Sequence, residues 1–234
     1  MQNVLGGYAE FALALFAFFA AHAVPSIPGL RARLTSLFGL RTYLIAYSWG
    51  SIVLLAWLFR AAADAPFIEL WPFAEWQRIV PAILMPVALC LAVFGLTTPN
   101  PLSLSVWPVR HFDADHPGIA GLVRHPILWA TLLWSLAHLV PNGDLAHAVL
   151  FTTFGMLSVF GMLILDIRKR RMLGHDHWTQ LAKLTSILPG AALARGWRPR
   201  PDTTDVFKAA AGLGAYVVLT MAHASFAGVP ALPS

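Results

Sequence analysis

Two histidines stand within apolar runs, where little water is available to hydrate a polar side chain. His22 sits in Phe18-Phe19-Ala20-Ala21-His22-Ala23-Val24 and His138 in Leu133-Trp134-Ser135-Leu136-Ala137-His138-Leu139. A titratable residue inside a bilayer span is a functional candidate by default, because its burial is costly unless it is used. Neutral imidazole is a good ligand for iron, and haem can be held by histidines from two facing helices. The flanking Phe, Trp and Leu side chains suit the rim of a flat apolar macrocycle. Simpler roles compete. His22 alone reads as a snorkelling or carbonyl-bonded imidazole. At about 100° per residue, His138 shares a stripe with Arg124, Thr131, Ser135 and Asn142, as a helix–helix hydrogen-bonding seam would require. Measured from their inward helix ends, His22 lies about 13 Å deep and His138 about 21 Å deep. Tilt, or a kink at Pro25, has to close that gap if one iron is to meet both.

Arg124-His125-Pro126 forms a second constellation. Proline is favoured in a first helical turn, where its missing N–H costs nothing. The Arg and His before it then lie at the inner membrane surface, placed to contact a lipid headgroup or the propionate of a bound macrocycle. A third polar run extends from Asp166 to Trp178. Asp166 is expected to pair with Arg168–Arg170. His175 and His177 alternate too closely to share one helical face and lack a third ligand, so no metal site is expected there. Cys90 is the single cysteine, which excludes an internal disulfide and a paired-cysteine zinc site. No Gly-rich phosphate loop and no Ser-His-Asp arrangement is visible in the spacing.

The elements that carry these residues follow from composition. The 234-residue chain is 58% hydrophobic and only 12% charged. Soluble domains carry about 25% charged residues, so much of this surface has to face lipid. The reading is all-α: one membrane domain over residues 1–234, a polytopic transmembrane bundle of about six helices. The apolar stretches run near Gly6–Val24, Tyr43–Phe59, Ile79–Leu96, Pro126–Val140, Leu145–Ile167 and Ala209–Val229. The last, rich in Ala and Gly at its start, is the weakest of the series. No repeat of 20–50 residues is visible.

Loop charges orient the bundle. With the N-terminus outward, 14 of the 16 Lys and Arg fall in inward loops, leaving only Arg60 and Arg78 outside. Cytoplasmic loops collect Lys and Arg, so a multi-pass bacterial inner-membrane protein with an outward N-terminus is expected. The net charge of +5 is thus a topology signal, and no nucleic-acid partner is expected. Ala21-His22-Ala23 imitates a signal-peptide cleavage site. No Lys or Arg precedes the run, however, and Glu10 lies within it, so the first helix is expected to remain uncleaved.

Taken together, Arg124-His125-Pro126-Ile127-Leu128-Trp129, Leu133-Trp134-Ser135-Leu136-Ala137-His138-Leu139 and Asn142-Gly143-Asp144-Leu145 resemble the signature of the NnrU family. His22 with the following Pro-containing turn and Arg31–Arg33 is similar to that family's N-terminal motif. The run from Asp166 to Trp178, followed by Thr185-Ser186 and Leu188-Pro189, also fits it, so the resemblance covers about residues 5–190. The family is named for denitrification gene clusters and includes zeta-carotene isomerase, a membrane haem b protein. The resemblance therefore implies haem b, with His22 and His138 as axial ligands. It also implies a redox-linked role in nitric oxide chemistry or isomerisation of a lipophilic polyene substrate. A non-catalytic assembly role beside a membrane protein partner is the alternative. The isomerase carries a cysteine three residues before its second histidine, where this chain has Ser135. A more distant similarity joins Arg124-His125-Pro126 to membrane methyltransferases that use S-adenosylmethionine. Trp129, Thr131 and Leu165-Asp166 depart from their tyrosine, glycine and acidic pair, which weighs against methyl transfer.

Overall fold

The computed structural model describes residues 2–23, 27–109 and 111–231. Pro25 and Arg110, invoked above for a kink and a loop charge, lie outside the described residues. In chain order the helices are α1 (Gln2–Ala23), α2 (Pro28–Phe38), α3 (Leu40–Asp64), α4 (Ile79–Thr97) and α5 (Ile119–Leu122). They are followed by α6 (Pro126–Leu139), α7 (Leu145–Leu173), α8 (His175–Ala182) and α9 (Thr203–Ala227). Among the described residues no strand forms, only an isolated antiparallel bridge between Glu69 and Asp144.

Five of these helices are long and apolar enough to cross a bilayer: α1, α3, α4 with its leading 3-10 turn Glu75–Arg78, α7 and α9. The sixth expected span, α6, starts at Pro126 as the sequence indicates, yet has only 14 residues. At about 1.5 Å per residue it is about 21 Å long, short of a hydrocarbon core of about 30 Å. The chain is accordingly an all-α polytopic membrane protein, with five full-length spans and one short apolar helix.

Its contacts group into two compact units, Met1–Pro72 with Gly143–Leu150, and Phe73–Asn142 with Phe151–Ser234. In the first, α1 and α2 pack against α3. There the Tyr8 hydroxyl donates to the Pro66 carbonyl at 2.9 Å. The Leu70 and Trp71 amides donate to the Gly143 carbonyl at 2.7 and 3.2 Å.

In the second unit α4 is central, packed on α6 and on α9. Small residues permit both approaches, as is common where membrane helices cannot rely on a hydrophobic drive to associate. A methyl on Gly95 would sit 2.9 Å from the Ile127 backbone nitrogen, and one on Gly212 would sit 2.6 Å from Cys90 Cα. The α9 helix is firmly bounded despite its weak start. Asp202 caps it, its Oδ1 accepting from the Asp205 amide at 2.8 Å, and Gly228 closes it in the left-handed region at φ +75°. Outward apolar side chains such as Phe160, Ile164, Val218 and Met221 are exposed, as a lipid-facing surface requires.

Candidate functional site

Helix α6 carries a different polar group at each end. At its start the chain is pinned by backbone bonds: the Arg124 amide donates to the Ser186 carbonyl at 2.6 Å, and Asn100 Nδ2 donates to the Arg124 carbonyl at 2.9 Å. The Arg124 guanidinium is buried. It pairs through Nη1 with Asp166 of α7, and Nε donates to Thr185 Oγ1 at 2.8 Å. Its face lies 5.0 Å from the Trp178 ring. Burial pushes this guanidinium below its ordinary value, and the Asp166 carboxylate acts in the opposite direction.

His125 is wholly buried between Ser103 and Asp166, each 3.0 Å from one ring nitrogen. A carboxylate can only accept, so Nε2–H donates to Asp166 Oδ1, and in the neutral ring Nδ1 accepts from Ser103 Oγ. A Ser-His-Asp line thus exists, across residues too far apart in the chain to be recognised from spacing. It is not arranged for catalysis: Ser103 is 2% exposed, His125 0%, and Asp166 is already neutralised by Arg124. The group is a lock joining the start of α6 to α7.

One sequence expectation needs correcting here. Asp166 pairs with Arg124 and His125 rather than with Arg168–Arg170, because it turns inward from α7. Arg170 instead donates from Nε to His175 Nδ1 at 2.9 Å and lies over the Trp178 ring at 5.5 Å. The Arg124 and His125 side chains also make bonds within the protein: His125 has both nitrogens engaged, and Arg124 donates to Asp166 and to Thr185.

The expected stripe along α6 is present, but it satisfies itself. Thr131 Oγ1 donates to the Ile127 carbonyl at 3.0 Å and Ser135 Oγ to the Thr131 carbonyl at 2.8 Å. His138 Nδ1–H donates to the Trp134 carbonyl at 2.8 Å, and Asn142 Nδ2 to the His138 carbonyl at 2.7 Å. Every one of these bonds runs back one turn, so the stripe is not an interhelical seam. The consequence for His138 is chemical. Tying Nδ1–H to a carbonyl fixes the tautomer, leaving Nε2 as the lone pair that ligates metals. Trp134 and Phe151 flank the ring at centroid distances of 5.2 and 5.3 Å.

His138 lines a cavity of about 280 Å³ walled by α4, the end of α6 and α9, with Arg78, Met85, Leu89, Tyr216 and His223 among its neighbours. His223 is the residue that sequence reading passed over. The signal was available, since it is a histidine inside the apolar stretch Ala209–Val229, but that stretch was the least certain span.

His22, in the first unit, occupies the last turn of α1. It shows the same tether, Nδ1–H to the Phe18 carbonyl at 2.7 Å, and lies beside Phe18 and Tyr47 at centroid distances of 4.1 and 5.9 Å. Among the described residues no group of three or more His, Cys, Asp or Glu gathers as a metal site.

The fold and its buried polar groups define a polytopic helical membrane protein with a cavity lined by two histidines. The family model described as NnrU protein matches residues 10–231, and the chain belongs to that family. The match runs beyond residue 190 and takes in α9, further than the motifs alone reached. No curated protein and no solved structure matches the chain.

Proposed function

We propose that this protein binds haem b through His138 and works through the iron in a redox-linked role in the bacterial inner membrane, with its N-terminus outward. The observation that carries the reading is the tethered ring. Its Nδ1–H is held by the Trp134 carbonyl, so Nε2 is left as a donor at an apolar, aromatic-lined cavity. A backbone acceptor of this kind orients a ligating imidazole and raises its basicity. Bound there, haem would supply an iron able to change oxidation state.

The protein's own groups do the rest. Trp134 and Phe151 flank the imidazole ring, and Met85, Leu89 and Leu219 give the cavity apolar walls. Arg78, one of the two outward cations, lines the same space and suits a propionate carboxylate. The family resemblance puts His22 forward as an axial ligand, and its tether to Phe18 likewise leaves Nε2 free to donate.

Ser135 favours the redox or nitric oxide branch over polyene isomerisation. It is 1% exposed, lies near Gly155, and its hydroxyl is committed to the Thr131 carbonyl. It offers no thiolate for a ligand exchange. The test is the visible spectrum of detergent-purified protein. A Soret band is expected in the wild type and is lost in His138→Ala at unchanged elution volume. A wild type without the band, or a His138→Ala spectrum identical to it, defeats the reading.

A further inference from the structure

His138 shares its cavity with a second imidazole. The His223 ring of α9 lies 6.4 Å from it between centroids, with the planes at 31°. His223 carries the same tether by a different route. Gly228, at φ +75°, turns the chain back beyond the end of α9, and the Val229 carbonyl accepts from His223 Nδ1–H at 2.7 Å. Both rings are thereby left with Nε2 as the donor atom.

We infer that His223 is the second protein ligand to the metal held by His138, so that the last-turn histidine of α6 and a histidine near the end of α9 form one bis-imidazole site. The inference rests on the haem reading above and names a ligand that the family motifs do not. Three observations carry it. With metal–imidazole bonds of about 2 Å and each donor about 1 Å ahead of its ring centroid, two imidazoles on opposite sides of one ion need centroids about 6 Å apart. The observed 6.4 Å meets that need. Two imidazoles with no third His, Cys, Asp or Glu grouped with them among the described residues suit a metal that brings its own further donors, as the iron of a porphyrin does. The helices are also held for the purpose, since α6 and α9 both pack on α4.

Optical and electron paramagnetic resonance spectra of the haem-loaded full chain test the assignment. The wild type is expected to be six-coordinate and low-spin. His223→Ala is expected to keep its Soret band but turn high-spin, and added free imidazole is expected to restore the low-spin spectrum. His223→Gln gives the same readout should the alanine variant not fold. A His223 variant that stays low-spin overturns this assignment and leaves the haem reading standing. Conversion in His22→Ala instead returns the second ligand to α1 and likewise overturns it. A wild type that takes up no haem overturns both readings together.

Discussion

Removing Asp166 tests the lock at the start of α6 most directly. Its carboxylate is 15% exposed and its partner Arg124 8%, so solvent screens the pair weakly. Asp166→Ala strands a buried guanidinium and deprives His125 Nε2 of its acceptor at once. Breaking a buried pair by removing one member costs about 3–5 kcal/mol. For a chain of this size, about 2–4 °C of melting temperature is lost per kcal/mol. The expected fall is therefore about 6–20 °C, read as loss of monodisperse protein after heating in detergent. Arg124→Met removes the other charge but leaves His125 bonded to the carboxylate, so it is expected to cost less. The decisive variant is Arg124→Met/Asp166→Ala, which buries no uncompensated charge and is expected to melt above Asp166→Ala. Below its melting point, Asp166→Ala is also expected to retain bound haem, but with a mixture of coordination states in its visible spectrum, because the lock that holds the start of α6 is weakened. A single variant melting within about 2 °C of the wild type, well under the range estimated above, refutes the reasoning. So does a double variant no more stable than Asp166→Ala.

Gly212→Ala places a methyl 2.6 Å from Cys90 Cα. It is expected to force α4 and α9 apart at about 1–3 kcal/mol, read as a lower melting temperature and faster maleimide labelling of Cys90. Unchanged labelling refutes the close approach. Ser135→Cys is expected to give no thiolate-type ferric spectrum, because residue 135 lies near Gly155 and does not line the His138 cavity. A spectrum with thiolate character refutes that placement. Arg78→Gln is expected to keep the haem spectrum but speed transfer of haem to a soluble acceptor severalfold, through loss of a charge-assisted bond. An unchanged transfer rate removes Arg78 from the site.

The helices were legible because lipid imposes a long, uniform apolar run, and five of the six expected stretches became full spans. The start of α6 was legible from Pro126 alone. Its short length could not be read from hydropathy, because the apolar residues just past Leu139 look the same in a helix or a turn. The lock was hidden for another reason. Ser103, His125, Asp166 and Thr185 come from four separate segments, and no local spacing relates them. Arg168–Arg170 were the nearer partners in sequence, but nearness along a helix gives an exposed pair little advantage over a buried acceptor already fixed by packing. His138 could be picked out as a candidate because a histidine among Trp, Leu and Ala is costly to bury. The same rule applied to His223, and only the ambiguity of its helix kept it from view.

The two ends of α6 also explain each other. A helix of 14 residues has little of its own length to hold it at a fixed depth, and a group at its far end would then be poorly placed. The Arg124–Asp166–His125 lock fixes the start of α6 to α7, while the Gly95 approach fixes its first turn against α4. With the start immobilised, about 21 Å of rigid helix carries the imidazole to a defined position. The backward bonds of Thr131, Ser135, His138 and Asn142 then prevent the polar stripe from seeking other partners. On the haem reading, the buried polar residues near Arg124 act as positioning residues for His138, despite being a helix length away. Weakening the lock is then expected to broaden the distribution of iron coordination states before it abolishes binding, whereas loss of His138 is expected to abolish binding outright.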